Sequence, residues 1–131
     1  MLEREAFEYA LIRVVPRIER AEFVNAGVIV ICRAQRFLES RIAVDHARLR
    51  AIAPSLSDEA IVEIERQLSV IPRICAGDRS TGPIAELNLT QRWHWLTAPA
   101  STVVQPSPVH TGLTSDPRAT LDRLFQTLVL D

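Results

Sequence analysis

The sequence predicts an α+β domain: an antiparallel β-meander plus a late strand, with helices packed on one face. Segments rich in β-branched residues occupy the first third of the chain, as expected for strands. Further along, apolar residues recur at spacings of three and four, which is typical of amphipathic helices. A length of 131 residues accommodates one hydrophobic core. We therefore expect residues 1–131 to form a single compact domain.

Three early strands form the predicted meander. The first covers Glu8–Val15 and ends at Pro16. The second covers Gly27–Cys32 and is apolar on both faces, as expected of a central strand. The third covers Arg36–Val44, where apolar and polar residues alternate. Because only a short Arg-Ala-Gln link separates the second strand from the third, we expect a hairpin there.

Two helices are predicted after the meander. Asp45 can cap a short helix that ends before Pro54, and Ser57 can cap a longer one. Pro72 is expected to end or kink the longer helix, because proline lacks the N–H group that the helix needs. The apolar stripe of the longer helix consists of Ile61, Ile64, Leu68 and Ile71.

The remainder of the chain alternates between short elements. A loop is expected over Ala76–Ile84, followed by a short helix over Asn88–Leu96. Two strand pieces, Thr102–Gln105 and Val109–Leu113, are separated by a Pro-Ser-Pro sequence that breaks the strand. Asp116 and Pro117 begin the last helix. Its buried face is expected to contain Leu121, Leu124, Phe125 and Leu128.

Composition excludes several classes of function. The chain has 15 arginines and no lysine, so Schiff-base chemistry and phosphate loops that need a lysine are excluded. A net charge of −1 gives no general attraction to nucleic acid, and we do not expect a nucleic-acid partner. The longest apolar run, Gly27–Cys32, is too short to cross a membrane. Glu3, Glu5 and Glu8 interrupt the start of the chain, so we expect no secretory signal and a cytoplasmic location.

Metal and cofactor sites are not expected. His46, His94 and His110 have no metal-ligand spacing. Cys32 and Cys75 lie far apart in apolar segments, where cysteine usually packs as a small buried hydrophobic residue.

The segment that precedes the second strand contains the first candidate site residues. Asn25 and Gly27 favour a turn or bulge, because both residue types tolerate positive φ. On that basis we expect Gly27→Val to damage folding. Arg13 shares a strand face with apolar neighbours, so its charge requires a partner. Glu22 is the expected partner, in an ion pair that is at least half buried.

Ser107 and His110 form a second candidate pair. The prolines on both sides of Ser107 are unlike the glycines of a nucleophile elbow, so we do not expect it to be a nucleophile. His110 is more plausible as a residue of a polar pocket. The segment "RWHWL" at 92–96 raises the question of base stacking. In a near-neutral chain we expect at least one of its tryptophans to lie in the core.

Three segments together resemble a known family. They are "YALIRVVPRIERAEFVNAGVIV" near the start, "RWHWLTAPASTVVQPSPVHTG" in the second half, and "DPRATLDRLFQTLV" at the end. From about Tyr9 to Val129 the chain resembles domain-of-unknown-function family 3037, a group of small bacterial proteins. The resemblance implies a single compact unit and no particular reaction. Some members of that family lie beside genes for HipA-like kinases, which implies a kinase-like partner.

Two hypotheses about function follow. The first is a non-catalytic accessory or protein-interaction domain, since no catalytic or metal motif is found in the sequence. Such a domain can dock to a kinase-like protein, and the outer side of its sheet can pair with another copy in a homo-oligomer. The alternative is a small enzyme or anionic-ligand-binding domain, in which arginines clamp the anion and His110 moves a proton. Its ligand-binding residues would be Arg13, Glu22, Asn25, Arg92, Ser107 and His110.

Overall fold

The computed structural model describes residues 3–131 as one antiparallel sheet of five strands with four α-helices. Strand β1 (Glu5–Val14) lies in the middle and pairs with β2 (Val24–Cys32), which pairs with β3 (Phe37–Ile42). Two short strands, β4 (Val104–Pro106) and β5 (His110–Thr114), share the other side of β1. The predicted α+β class, the meander and the late strand in two pieces are confirmed.

A β-bulge lies at the start of β2. Ile12 pairs with Gly27 and Arg13 pairs with Asn25, so Ala26 is an extra residue on β2. The predicted turn or bulge is therefore a bulge. The expected reason for it was wrong, because neither Asn25 nor Gly27 has a positive φ.

Space, not backbone conformation, requires a glycine at position 27. A Cβ atom on Gly27 would lie 2.6 Å from Cδ1 of Ile42 and 2.8 Å from the carbonyl oxygen of Arg41. Real Cβ atoms do not approach other atoms this closely, so β2 can pass between β1 and β3 only without a side chain here.

The hairpin between β2 and β3 is confirmed. Arg33–Gln35 forms a 3₁₀ turn, and Arg36 closes it in the left-handed region at φ 50°. The backbone N–H of Arg36 donates to the carbonyl oxygen of Arg33. The turn leaves Arg36 exposed at one end of β3.

Three of the four α-helices begin directly after their predicted caps, Asp45, Ser57 and Asp116, whereas Asn88, expected inside the third helix, is its cap. The four helices are α1 (His46–Ile52), α2 (Asp58–Cys75), α3 (Leu89–Leu96) and α4 (Pro117–Phe125), and a π-helical turn (Gln126–Leu130) follows α4. Each has a side chain that accepts a hydrogen bond from the backbone N–H three residues on; the caps are Asp45, Ser57, Asn88 and Asp116.

Two local details differ from expectation. Pro72 does not end α2, which continues to Cys75. Pro72 lies in the last turn, where only one backbone hydrogen bond is lost and tertiary packing outweighs that loss. The segment predicted as a loop over Ala76–Ile84 contains short 3₁₀ turns, Arg79–Thr81 and the start of Pro83–Glu86.

The sheet carries hydrophobic clusters on both faces. On the first face, Ala10, Ile12 and Ile29 pack against α1, α2 and α3. On the second face, Val28 and Val30 pack against α4 and the π-helical turn. The expectation of helices on one face holds for α1 to α3, whereas α4 covers the opposite face. The reason is that β2 is apolar on both sides, so both sides require a hydrophobic cover.

Candidate functional site

Arg13 lies on β1 without the acidic partner that the sequence predicts. Its guanidinium carbon lies 4.2 Å from the centre of the Phe23 ring, a cation–π contact. No carboxylate within residues 3–131 forms an ion pair with it. The expected Arg13–Glu22 ion pair was wrong.

Glu22 instead pairs with Arg20, its neighbour in the preceding turn. Nε of Arg20 lies 2.5 Å from Oε1 of Glu22, and both side chains are about half exposed. The hydrogen bond from Arg20 lowers the pKa of the Glu22 carboxyl below its ordinary value. The reason for the change of partner is local: Ile18–Arg20 forms a 3₁₀ turn, and Ala21 follows at φ 58°.

Asn25 is the candidate residue that the fold keeps beside Arg13. Its Nδ2 donates to the carbonyl oxygen of Leu128 at 3.2 Å, which ties β2 to the C-terminal turn. Nε of Arg13 and Oδ1 of Asn25 are buried and have no hydrogen-bond partner in the described chain. Arg13 and Asn25 are paired in register across the bulge. The Asn25 hydrogen bond therefore joins β2 to the C-terminal turn.

Ser107 lies in the break between β4 and β5 and forms hydrogen bonds to β1 there. Its Oγ accepts a hydrogen bond from the backbone N–H of Leu11 at 2.8 Å and donates to the carbonyl oxygen of Pro108 at 2.8 Å. Its own N–H donates to the carbonyl oxygen of Leu11. The hydroxyl thus supplies the acceptor that the strand break removes, and both of its hydrogen-bonding roles are structural.

We expect Ser107→Ala to destabilise the fold by about 1–3 kcal/mol, because the N–H of Leu11 would lose its acceptor at a partly buried position. Urea unfolding measures this loss. Ser69→Ala is the matched control, because the Ser69 hydroxyl donates only to a carbonyl oxygen on the exposed side of α2. Equal stability of the two variants would show that the Leu11 N–H does not depend on Ser107.

His110 lies at the start of β5, directly opposite Tyr9. The two rings stack with their centres 5.1 Å apart, and the His110 side chain is exposed. Ser107 forms its side-chain hydrogen bonds with Leu11 and Pro108, so no Ser107–His110 pair is present.

Arg92 lies on α3 and binds the backbone at the end of α2. Its Nη1 donates to the carbonyl oxygens of Ile74 and Cys75, at 2.9 and 2.6 Å. Its Nε donates to the carbonyl oxygen of Leu87 at 3.0 Å. Arg92 therefore holds the C-terminal end of α2, whose last carbonyl groups lack helical partners.

The six candidate residues do not converge on one pocket. Arg13 and Asn25 lie together, Glu22 belongs to the turn before β2, and Ser107 and His110 belong to the β4–β5 edge. Three of them are held by their own local hydrogen bonds. Glu22 accepts from Arg20, Ser107 accepts from the N–H of Leu11, and Arg92 donates to the carbonyl oxygen of Ile74.

A surface groove that the sequence did not predict lies next to α3. We name it the Trp95 groove. It is an open cavity of about 400 Å³ that is bounded by α2, the end of α3, the segment 98–102 and β4. Its lining contains no charged side chain, and its residues are Ile12, Gln67, Val70, Ile71, Ile74, Trp95, Leu96, Ala98, Pro99, Ala100, Thr102, Val104, Gln105 and Pro106.

The two tryptophans of α3 have different environments. Trp93 is 1% exposed in the first-face core, whereas Trp95 is 50% exposed at the groove. The expectation that at least one tryptophan lies in the core is confirmed. Residues two apart on a helix point to nearly opposite sides, so the "WHW" spacing is the signal that could have indicated an exposed tryptophan.

Comparisons with known proteins identify a family and no activity. A family model described as "Protein of unknown function (DUF3037)" matches residues 9–129. No curated protein and no solved structure matches the chain. In the part of the chain that the structure describes, no helix is long and apolar enough to cross a membrane. The same residues contain no group of three or more His, Cys, Asp or Glu side chains placed to hold a metal ion.

Proposed function

This chain belongs to the DUF3037 family of proteins of unknown function, and we propose on that premise that it is a non-catalytic accessory domain that binds a partner protein. The Trp95 groove is the proposed docking site. The single observation that supports it is a half-exposed tryptophan at an open groove whose lining carries no charge.

The groove suits a protein side chain better than a polar metabolite. Its polar groups are confined to Gln67, Thr102 and Gln105, and its remaining lining is apolar. Ala98, Pro99 and Ala100 form one wall and are themselves exposed, so the groove opens along the surface. Tryptophan is enriched among the residues that contribute most to protein–protein binding. We propose that an apolar side chain of the partner inserts beside Trp95.

Two side chains that could take part in catalysis, Ser107 and Arg92, form structural hydrogen bonds instead, which supports a non-catalytic role. The Ser107 hydroxyl serves the β4–β5 break, and the Arg92 guanidinium serves the end of α2. An anionic-ligand pocket is less well supported, since its residues have different partners. Arg13 lies over the Phe23 ring, Glu22 pairs with Arg20, and His110 stacks on Tyr9.

A kinase-like protein, which the family resemblance implies, is the first partner to test. Immobilised wild-type protein, Trp95→Gln and Leu113→Gln would each be exposed to extract from the native host. Leu113 is the matched control, because it is 63% exposed on β5 and does not line the groove. We expect one protein to be retained by the wild type and by Leu113→Gln and to be lost with Trp95→Gln.

Equal retention by all three baits would contradict the docking site. Loss with both variants would mean that general surface hydrophobicity, and not the groove, holds the partner. Retention of only a second copy of this chain would indicate a homo-oligomer in place of the proposed partner.

A further inference from the structure

The third strand has an open hydrogen-bonding edge. Within residues 3–131, β3 pairs with β2 and with no other strand. The backbone N–H of Ala43 donates to the carbonyl oxygen of Ala26 at 2.8 Å, in the register of the β2–β3 pair. Because antiparallel pairs alternate between bonded and non-bonded positions, the odd-numbered residues of β3 bond to β2. The N–H and C=O groups of Leu38 and Ser40 therefore point away from the sheet.

The β1 side gives the same alternation independently. The N–H groups of Val15 and Ser107 bond across the β1–β4 pair, so odd residues of β1 face β4 and even residues face β2. Ala10 and Ile12, which are even, pair with Ile29 and Gly27. The odd residues of β2 therefore face β1, and its even residues face the odd residues of β3.

A cleft runs along this open edge, and we name it the edge cleft. Its volume is about 600 Å³, and one wall consists of the consecutive residues 36–40. The first-face wall comes from the ends of α2 and α3, and the second-face wall comes from Arg118. A smaller cavity of about 230 Å³ touches the same strand at Ile42. In the edge cleft, the wall from the ends of α2 and α3 consists of Pro72, Cys75, Ala76, Leu89 and Arg92.

The charge of the edge cleft is positive. Arg118 and Glu39 neutralise each other through two hydrogen bonds of 2.8 and 2.6 Å. Arg92 donates to carbonyl groups only, and Arg36 forms no ion pair with a carboxylate of the described residues. Two arginine charges are therefore left without a carboxylate. Acidic groups of a ligand would be attracted to Arg36 and Arg92 in the edge cleft.

The thiol in the edge cleft is not a nucleophile. Cys75 donates from Sγ to Oγ of Ser40 at 3.7 Å. Burial raises the pKa of the Cys75 thiol to about 11. Because the thiolate is the reactive form, the thiol is inert near neutral pH.

We propose that the edge cleft binds an extended segment of a partner protein that carries acidic side chains. The segment adds to the sheet as a new strand beside β3 and exchanges backbone hydrogen bonds with Leu38 and Ser40. Its carboxylates lie toward Arg36 and Arg92. The edge from Arg36 to Ile42 is about 20 Å long, which is enough for a segment of about six residues. The edge cleft and the Trp95 groove share no lining residue, so this proposal stands independently of the proposed function.

The test uses defined peptides, because the natural segment is unidentified. The probe is a capped heptapeptide of sequence TEVEVET, and the charge control is TKVKVKT. Two further versions of the probe carry N-methyl groups on alternate residues, one on the odd positions and one on the even positions. Only one of these two sets of N–H groups can face β3 in a given register.

Amide hydrogen exchange and chemical-shift titration of the wild-type protein provide the readouts. We expect TEVEVET to slow exchange of the Leu38 and Ser40 amides by about tenfold or more, while the Glu39 amide, already bonded to β2, changes little. We expect TKVKVKT to bind about tenfold more weakly. One N-methylated version should bind like the parent and the other should not bind.

A matched pair of variants tests the charge. Arg36→Asn keeps a residue type that tolerates the left-handed conformation and should weaken TEVEVET binding by about threefold or more. Arg79→Asn removes an exposed arginine outside the cleft and should leave binding unchanged. The proposal is overturned if TEVEVET produces no shifts at millimolar concentration, or if both N-methylated versions bind equally. It is also overturned if the Leu38 and Ser40 amides become protected with rising protein concentration alone, since β3 would then pair with a second copy.

Discussion

Gly27→Val should give a protein that is largely insoluble or unfolded at 25 °C. A Cβ atom at position 27 would lie 2.6 Å from Cδ1 of Ile42, 2.8 Å from the Arg41 carbonyl oxygen and 3.0 Å from Cδ1 of Ile12. The carbonyl belongs to the backbone of β3, so relief of this overlap requires strand separation. We expect a loss of about 3 kcal/mol or more, at the upper end of overpacking effects. Urea unfolding and the soluble fraction measure it.

Ala34→Val is the control for this variant. It also places a β-branched side chain, but on the exposed turn between β2 and β3, where surface substitutions change stability by about 0.5 kcal/mol or less. A soluble Gly27→Val variant with an unchanged unfolding midpoint would show that β1, β2 and β3 can separate locally at little cost.

Arg92→Met should destabilise the fold by about 2–4 kcal/mol. The side chain donates three hydrogen bonds, to the carbonyl oxygens of Ile74, Cys75 and Leu87. Bonds to a charged donor contribute about 1.5–3 kcal/mol each in typical cases, and bonds from one guanidinium are not additive. The methionine keeps an unbranched apolar stem like the aliphatic part of arginine and removes all three donated hydrogen bonds. Thermal and urea unfolding would measure the change.

Two further variants separate the geometry of Arg92 from its charge. Arg92→Lys keeps the charge but loses the planar fork, so we expect it to recover less than half of the lost stability. Arg123→Met removes an exposed arginine of α4 that forms no side-chain hydrogen bond in the described chain, and its stability should change by about 0.5 kcal/mol or less. Equal stability of Arg92→Met and Arg123→Met would mean that water replaces Arg92 at the end of α2.

The local chemistry of the chain predicted most of the fold. The predicted caps Asp45, Ser57 and Asp116 each accept from a backbone N–H, so these three helices begin where the sequence predicts. The placement of α4 on the second face follows from the two-sided apolar character of β2. That character was visible in the sequence, but which helix would supply the cover depends on tertiary packing.

The candidate site was less predictable because it depends on register. Arg13 lies over Phe23 and pairs with Asn25 because the bulge adds one residue to β2. The sequence predicted a turn or a bulge there, but it did not specify which of the two, nor the register that follows. Glu22 pairs with Arg20 because the 3₁₀ turn at Ile18–Arg20 brings these two neighbours together, and a local partner of this kind displaces the longer-range partner Arg13. The outward direction of the Leu38 and Ser40 backbone groups likewise requires the β2–β3 register, which the sequence does not specify.

The role of the Trp95 groove is tested most directly by the dissociation constant of the purified partner for the wild-type protein, Trp95→Gln and Leu113→Gln. Isothermal titration calorimetry would provide all three values. We predict that Trp95→Gln weakens binding by about thirtyfold or more, since truncation of a central tryptophan hot spot costs about 2 kcal/mol or more. Leu113→Gln should bind within about twofold of the wild type. Equal dissociation constants for Trp95→Gln and the wild type would contradict the proposal that this groove is the docking site.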